Sequence, residues 1–157
     1  MRIGIGYDSH RFAEGRPLIL GGQRIPHPLG LLGHSDADAV AHAVTDAVLG
    51  AAGMGDIGTL FPDTDPAWKD ADSIGLLALV RDRLASRGLR PVQVDVTVIL
   101  EAPKLGPYKA AMAAAVAASL GLPADRVGIK AKTNEGMGFV GRGEGVAVMA
   151  VALVDGP

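Results

Sequence analysis

The sequence contains no cysteine. Disulfides, thiolate zinc sites and a cysteine nucleophile are therefore excluded. Aromatic residues are scarce at 4%, and the apolar share of 48% is mostly Ala, Val and Leu. An excess of positive charge is missing too: the formal net charge is -2, which argues against a broad basic surface for nucleic acid. No apolar run approaches the roughly 20 residues that a membrane helix needs. The first residues read as a strand and not as a signal or transit peptide, so a cytoplasmic protein with no membrane partner is the expectation.

What the chain has in abundance is glycine, 22 of 157 residues, about double the usual share of roughly 7%. A chain of this length suggests one domain, residues 1–157, that can bury a core without staples. So much aliphatic surface in a small domain is expected to be covered in part by a neighbouring subunit.

Apolar and β-branched runs predict strands at 2–8, 17–20 and 23–25, with Gly21-Gly22 as a hairpin turn. Ser35 and Asp38 fit a capping box, so a helix is expected from about Asp36, with Val40, Val44, Ala47, Val48 and Ala51 as its apolar stripe. Residues 54–71, rich in Gly, Pro and Asp, read as a loop. Asp72 or Ser73 caps a helix over 74–87 that Gly88 ends, and Pro107 opens another over 107–120 that Gly121 ends. Strands follow at 92–100, 126–133 and 145–154, the last apolar at almost every position and hence expected to be covered on both faces. The order predicts an α/β (α+β) fold, a mixed sheet with helices packed on one face.

Asp8 and His10 stand two apart in a strand, so their side chains point the same way and can reach one ion. His42 lies about 200° round its helix from Val44, off the apolar stripe, and can supply a third ligand. Asp46, one turn on, is placed to orient the His42 ring. Two imidazoles and a carboxylate suit zinc and leave a fourth position open, which is the mark of a catalytic site. The same spacing also fits a solvated turn and a surface histidine.

Other signals are weaker one by one. His34 and Ser35 precede a helix whose N-terminus attracts phosphate, although Ser35 alone reads as a cap. Asp56, Asp63 and Asp65 suit either turns or sugar-like hydroxyls. Lys104 suits a phosphate or solvent. The GMGFVG run at 136–141 has the form GxGxxG, but it leads into a strand and lacks a βαβ setting, which rules out a dinucleotide fingerprint. Glu135 is a second carboxylate open to a hard cation.

In register, Asp8-x-His10, HSDADAVAHA (34–43), GDIGTLFPDTDP (55–66), APK (102–104) and KTNEGMGFVGRGEG (132–145) run through nearly the whole chain. Together they closely resemble the 2-C-methyl-D-erythritol 2,4-cyclodiphosphate synthase family of the non-mevalonate isoprenoid pathway. The resemblance implies a homotrimer with sheets packed around the three-fold axis and active sites between subunits. It implies that 4-diphosphocytidyl-2-C-methyl-D-erythritol 2-phosphate closes on itself, its 2-phosphate attacking the β-phosphorus and releasing CMP. Asp8, His10 and His42 would then hold zinc, and Glu135 magnesium or manganese. His34 and Thr133 match positions that steady the transition state. Asp8, Ser9, His10, His34 and Ser35 match substrate contacts. Asp56, Ile57, Gly58, Phe61, Pro62, Asp63, Thr64 and Asp65 match the methylerythritol pocket. Leu100, Glu101, Ala102, Pro103, Lys104, Leu105 and Gly106 match the cradle of the cytidine diphosphate arm, with Lys132, Thr133, Asn134 and Glu135. Phe139 and Arg142 match further contacts. The family often reads Thr-Thr where this chain has Lys132-Thr133, so the role of Lys132 is open. Arg142 and Glu144 would lie near the trimer axis, where an isoprenoid diphosphate could bind. The ligand set also permits a zinc-dependent phosphohydrolase in which water attacks, and a cytidine pocket alone would suit a non-catalytic binding protein.

Overall fold

The computed structural model describes residues 1–157. In chain order the elements are β1 (Arg2–Ala13), β2 (Leu18–Leu20), β3 (Gln23–Ile25), β4 (Gly30–Leu31), α1 (Ala39–Ala52) and α2 (Ile57–Leu60). They continue with α3 (Ser73–Ala85), β5 (Arg90–Ile99), α4 (Lys109–Leu120), β6 (Val127–Lys132), α5 (Gly138–Gly141) and β7 (Gly145–Asp155). One five-stranded sheet has the order β4-β1-β7-β5-β6, and β2 and β3 form a separate hairpin. Only β5 and β6 pair in parallel, joined through α4; the other pairs are antiparallel. No helix is long and apolar enough to cross a membrane.

The two faces of the sheet follow from the pleat. Even-numbered residues of β7, Val146 to Val154, are buried together with Val94, Val96 and Val98 of β5, and they join the core made with α1, α3 and α4. Gly4 and Gly6 of β1 lie on that same face. A Cβ at Gly4 would stand 2.1 Å from the Ala47 carbonyl oxygen, and one at Gly6 1.9 Å from that of Ala43. The two glycines therefore let α1 lie directly on the strand. The opposite face is open: Ile3, Ile5 and Tyr7 are exposed beside their β7 neighbours Met149 and Val151. The expected two-sided cover of β7 is thus present on one face of this chain only.

Several expected boundaries move. The first strand does not end at Asp8. It runs to Ala13 because its second half pairs with β7 as far as Arg11↔Gly145 and then with β4. Helix α1 starts at Ala39, and its cap is Asp38, not a Ser35 box. The fully buried Asp38 carboxylate accepts from Ala41 N at 3.0 Å and from the hairpin-turn amides of Gly21 (2.8 Å) and Gly22 (2.6 Å), so it stitches two elements at once. Burial pushes this carboxyl up to about 6, against the three N–H bonds that favour its charge. Residues 54–71 hold α2 and a 3₁₀ turn at Pro66–Trp68. Pro107 sits in a 3₁₀ turn, Gly106–Tyr108, ahead of α4. The glycine-rich run contains a single helical turn, α5, before β7, and no βαβ unit.

Candidate active site

The even-numbered face of β1 that carries Gly4 and Gly6 continues to Asp8 and His10. Helix α1, seated on those glycines, brings His42 opposite them. Asp8 Oδ2 lies 2.9 Å from His10 Nδ1 and 3.2 Å from His42 Nδ1, and the three donor atoms fall within 4.8 Å of one another. The two imidazoles are tilted at 49° with centroids 5.2 Å apart. Both rings are largely buried. A tetrahedral zinc site with bonds of about 2.0–2.1 Å spaces its donors about 3.3 Å apart, so the donor set and its spacing fit such an ion. His10 Nδ1 is buried and, despite its nearness to Asp8, has no aligned hydrogen-bond partner. A buried ring nitrogen with no aligned partner calls for an explanation, and a cation held there would supply one.

Burial pushes the Asp8 carboxyl up, but the close approach and charge of His10 and His42 outweigh it and hold it below the usual range. Burial likewise lowers His42, and the bond to Asp8 with the charges of Asp8, Asp38 and Asp36 outweighs it, so the imidazole is raised. Asp46 does not orient the ring as expected. Its Oδ1 accepts from Ile57 N at 2.8 Å and so fixes the start of α2, while burial raises its carboxyl. The ring is held instead at Nε2, which meets Ser73 Oγ at 2.9 Å and Ser35 Oγ at 3.1 Å. Ser73 donates its proton to Asp36. Nothing in the local sequence marks Ser73 and Asp36 as site residues, because the contacts that give them a role, Ser73 with His42 and Asp36 with Ser73, are remote in sequence.

A cavity of about 430 Å³ opens beside the cluster. His10, His34, Ser35, His42, Ile57, Gly58, Phe61, Pro62 and Asp63 line it, as does Gly33. Trp68 and Leu76 line it as well, and nothing in the local sequence marks them. Phe61 and Trp68 meet edge to face at 4.9 Å, a firm apolar wall. Of the loop carboxylates only Asp63 lines this space. Asp56 caps α2 by accepting from the Thr59 amide and hydroxyl, both at 2.8 Å, which lowers its carboxyl. Asp65 accepts from Ala67 N at 2.9 Å, and its carbonyl lies 3.2 Å from His34 Nε2. Thr64 lies in the same loop, outside the lining.

The remaining predicted residues form two other groups. Leu100, Glu101, Pro103, Lys104, Leu105, Lys132 and Thr133 line a cavity of about 110 Å³ at the ends of β5 and β6, with Ala102 and Gly106 in the same connection. Glu101 Oε1 accepts from Asn134 N at 2.8 Å and so ties that connection to the 133–136 turn. Glu135 lies on this turn at φ 51°, exposed, and is not in the Asp8, His10, His42 cluster. Ser9, on the open face, lines a third cavity of about 260 Å³ with Phe139 and Glu144. Arg142 is exposed and pairs with Glu144 at 2.8 Å, which raises the one and lowers the other. His10 borders both the first and third cavities.

A model described as the YgbB family matches residues 1–155. A curated relative from Symbiobacterium thermophilum, named 2-C-methyl-D-erythritol 2,4-cyclodiphosphate synthase, is 60% identical over 99% of this chain and 99% of that protein. A solved structure of 2C-methyl-D-erythritol-2,4-cyclodiphosphate synthase in a CDP-bound form superposes with a TM-score of 0.89 at 46% identity, over 98% of this chain and 100% of that one. The bifunctional IspDF from Campylobacter jejuni superposes with a TM-score of 0.95 at 44% identity, over 99% of this chain and 42% of that longer one.

Proposed function

The chain belongs to the YgbB family and forms 2-C-methyl-D-erythritol 2,4-cyclodiphosphate in isoprenoid biosynthesis, and from that premise we propose how its residues divide the work. The substrate, 4-diphosphocytidyl-2-C-methyl-D-erythritol 2-phosphate, places its methylerythritol against Ile57, Gly58, Phe61, Pro62 and Asp63. The cytidine diphosphate arm lies along 100–106 and 132–135. Asp8, His10 and His42 would hold zinc, which supplies Lewis-acid polarisation of a phosphate oxygen when bound. Glu135 would hold magnesium or manganese, which offsets the repulsion between neighbouring phosphates. His34 and Ser35 orient the 2-phosphate for attack on the β-phosphorus, and Thr133 steadies the charge that develops there. No side chain needs to act as nucleophile, so the chain contributes positioning and charge stabilisation. The observation that carries this reading is the convergence of three metal-type donors at the wall of the cavity that His34 and Ser35 also line.

In this reading the molecule works as a homotrimer in the cytoplasm. The exposed apolar strip of Ile3, Ile5, Tyr7, Met149 and Val151 supports burial of the open sheet face against copies of the chain. The separation of the predicted contacts into three cavities supports a site completed between subunits. Arg142, exposed beside Glu144, would face the axis and meet an isoprenoid diphosphate there.

Phosphorus NMR of turnover in oxygen-18 water tests the reading. The expected result is CMP and an unlabelled cyclic diphosphate, with turnover abolished by chelation and restored by zinc with magnesium. Oxygen-18 in a phosphorus product would replace cyclisation with hydrolysis.

A further inference from the structure

The hydrogen bonds around His42 define a direction. Asp36 accepts through both carboxylate oxygens: from Ser73 N at 3.1 Å, from Asp38 N at 3.1 Å and from the Ser73 hydroxyl. All of these partners are donors, and an ionised carboxylate only accepts. The single proton of Ser73 is therefore committed to Asp36. Ser73 Oγ, 1% exposed and 2.9 Å from His42 Nε2, can then only accept from that ring nitrogen. Nε2 must carry a proton. In the neutral ring Nδ1 is then left with its lone pair, aimed at Asp8 Oδ2 3.2 Å away. Two acceptors facing each other at that distance need a shared proton or a metal cation between them, and the raised His42 imidazole supplies the former when the site holds no ion.

We infer that Ser73 and Asp36 are positioning residues that fix His42 as the Nε2–H tautomer and so present Nδ1 to a cation held with Asp8 and His10. The inference rests on the proposal that these three side chains hold a divalent ion. It adds how the ligand is prepared before the ion arrives, as groups behind a metal-bound histidine do in general. The anchoring elements suit the role. Ser73 is the first residue of α3, and Asp36 is tied through its own N–H to the Ala71 carbonyl at 3.1 Å, so the relay links the entrance of α1 to that of α3. Ser35 sits at the edge of the same network: its oxygen accepts from Ala37 N at 3.2 Å and lies 3.1 Å from His42 Nε2 and 3.4 Å from Ser73 Oγ.

Two measurements test the inference. Zinc affinity is read by competition with a chromophoric chelator for the wild type and Ser73→Ala, with the unfolding midpoint of each metal-free protein measured alongside. Affinity should fall by about 10–100-fold in the variant while its metal-free midpoint stays near that of the wild type. Equal affinity would overturn the inference. Nitrogen-15 NMR of the metal-free wild type, at a pH where the His42 ring is neutral, reads the tautomer directly and needs no variant to fold. A protonated Nε2 supports the relay and a protonated Nδ1 overturns it. Should the wild type bind no zinc at all, the metal assignment falls, and the tautomer still decides what Ser73 does.

Discussion

Strand β1 shows two environments on one stretch of backbone. Its even positions, Gly4, Gly6, Asp8 and His10, face α1. Its odd positions, Ile3, Ile5 and Tyr7, face nothing within the chain, with Ile3 70% and Ile5 65% exposed. The polar, chemically able residues are on the enclosed side and the large apolar ones are outside, the reverse of the ordinary pattern. The difference teaches that burial in a single copy is a poor guide to what the odd face is for. The even face is covered by α1 within the chain, and the odd face is left open, as the proposed trimer would require.

The comparison can be broken from the enclosed side first. His42→Ala removes one of three donors and should lower turnover by about 10²–10³-fold or more, with the ion lost and the fold kept. Metal analysis beside the phosphorus assay checks it, and normal turnover in metal-free buffer would sink the assignment. Gly6→Val forces a side chain against the Ala43 backbone, where even a Cβ would be at 1.9 Å. Overpacking against backbone should destabilise by about 3 kcal/mol, read by denaturant unfolding, and should weaken zinc binding because α1 is pushed from the strand. Asp38→Ala strands three amide donors, two of them at the hairpin turn, and should cost about 2–4 kcal/mol in the same unfolding measurement. The smallest effect on the protomer is expected from the open side. Ile5→Asp should leave the secondary structure unchanged by circular dichroism and convert the proposed trimer to monomers in sedimentation. A trimer that survives the substitution would mean that this face is not the interface.

What was legible in the sequence was whatever depends on neighbours in the chain. The period of two placed Asp8 and His10 on one face, and the helical period put His42 off the apolar stripe. The Gly21-Gly22 turn, the stop at Gly121 and the helix-on-sheet layout are local in the same sense. The misses are non-local. The strand was cut short at Asp8 because its continuation depends on pairing with β7, more than a hundred residues away. Ser35 was assigned the cap that Asp38 holds, since the hairpin amides that reward Asp38 are remote in sequence. Asp46 was assigned to His42 by its one-turn spacing, but the ring turns towards Ser73, and Asp46 closes on Ile57. Glu135 and Arg142 were legible as residues, yet the single chain sets them apart from the Asp8 cluster.

The absent side chains at Gly4 and Gly6 have a consequence for kinetics. Because a helix rests on a strand with no atoms between them, two of the three donors ride on one rigid strand and the third on a rigid helix, none on a loop. A cation taken up at the proposed zinc site would order almost nothing, so little entropy would oppose its capture. Release, by contrast, must part donors that cannot swing away one at a time. An ion should therefore exchange from this pocket slowly, whatever the motion of the surrounding loops.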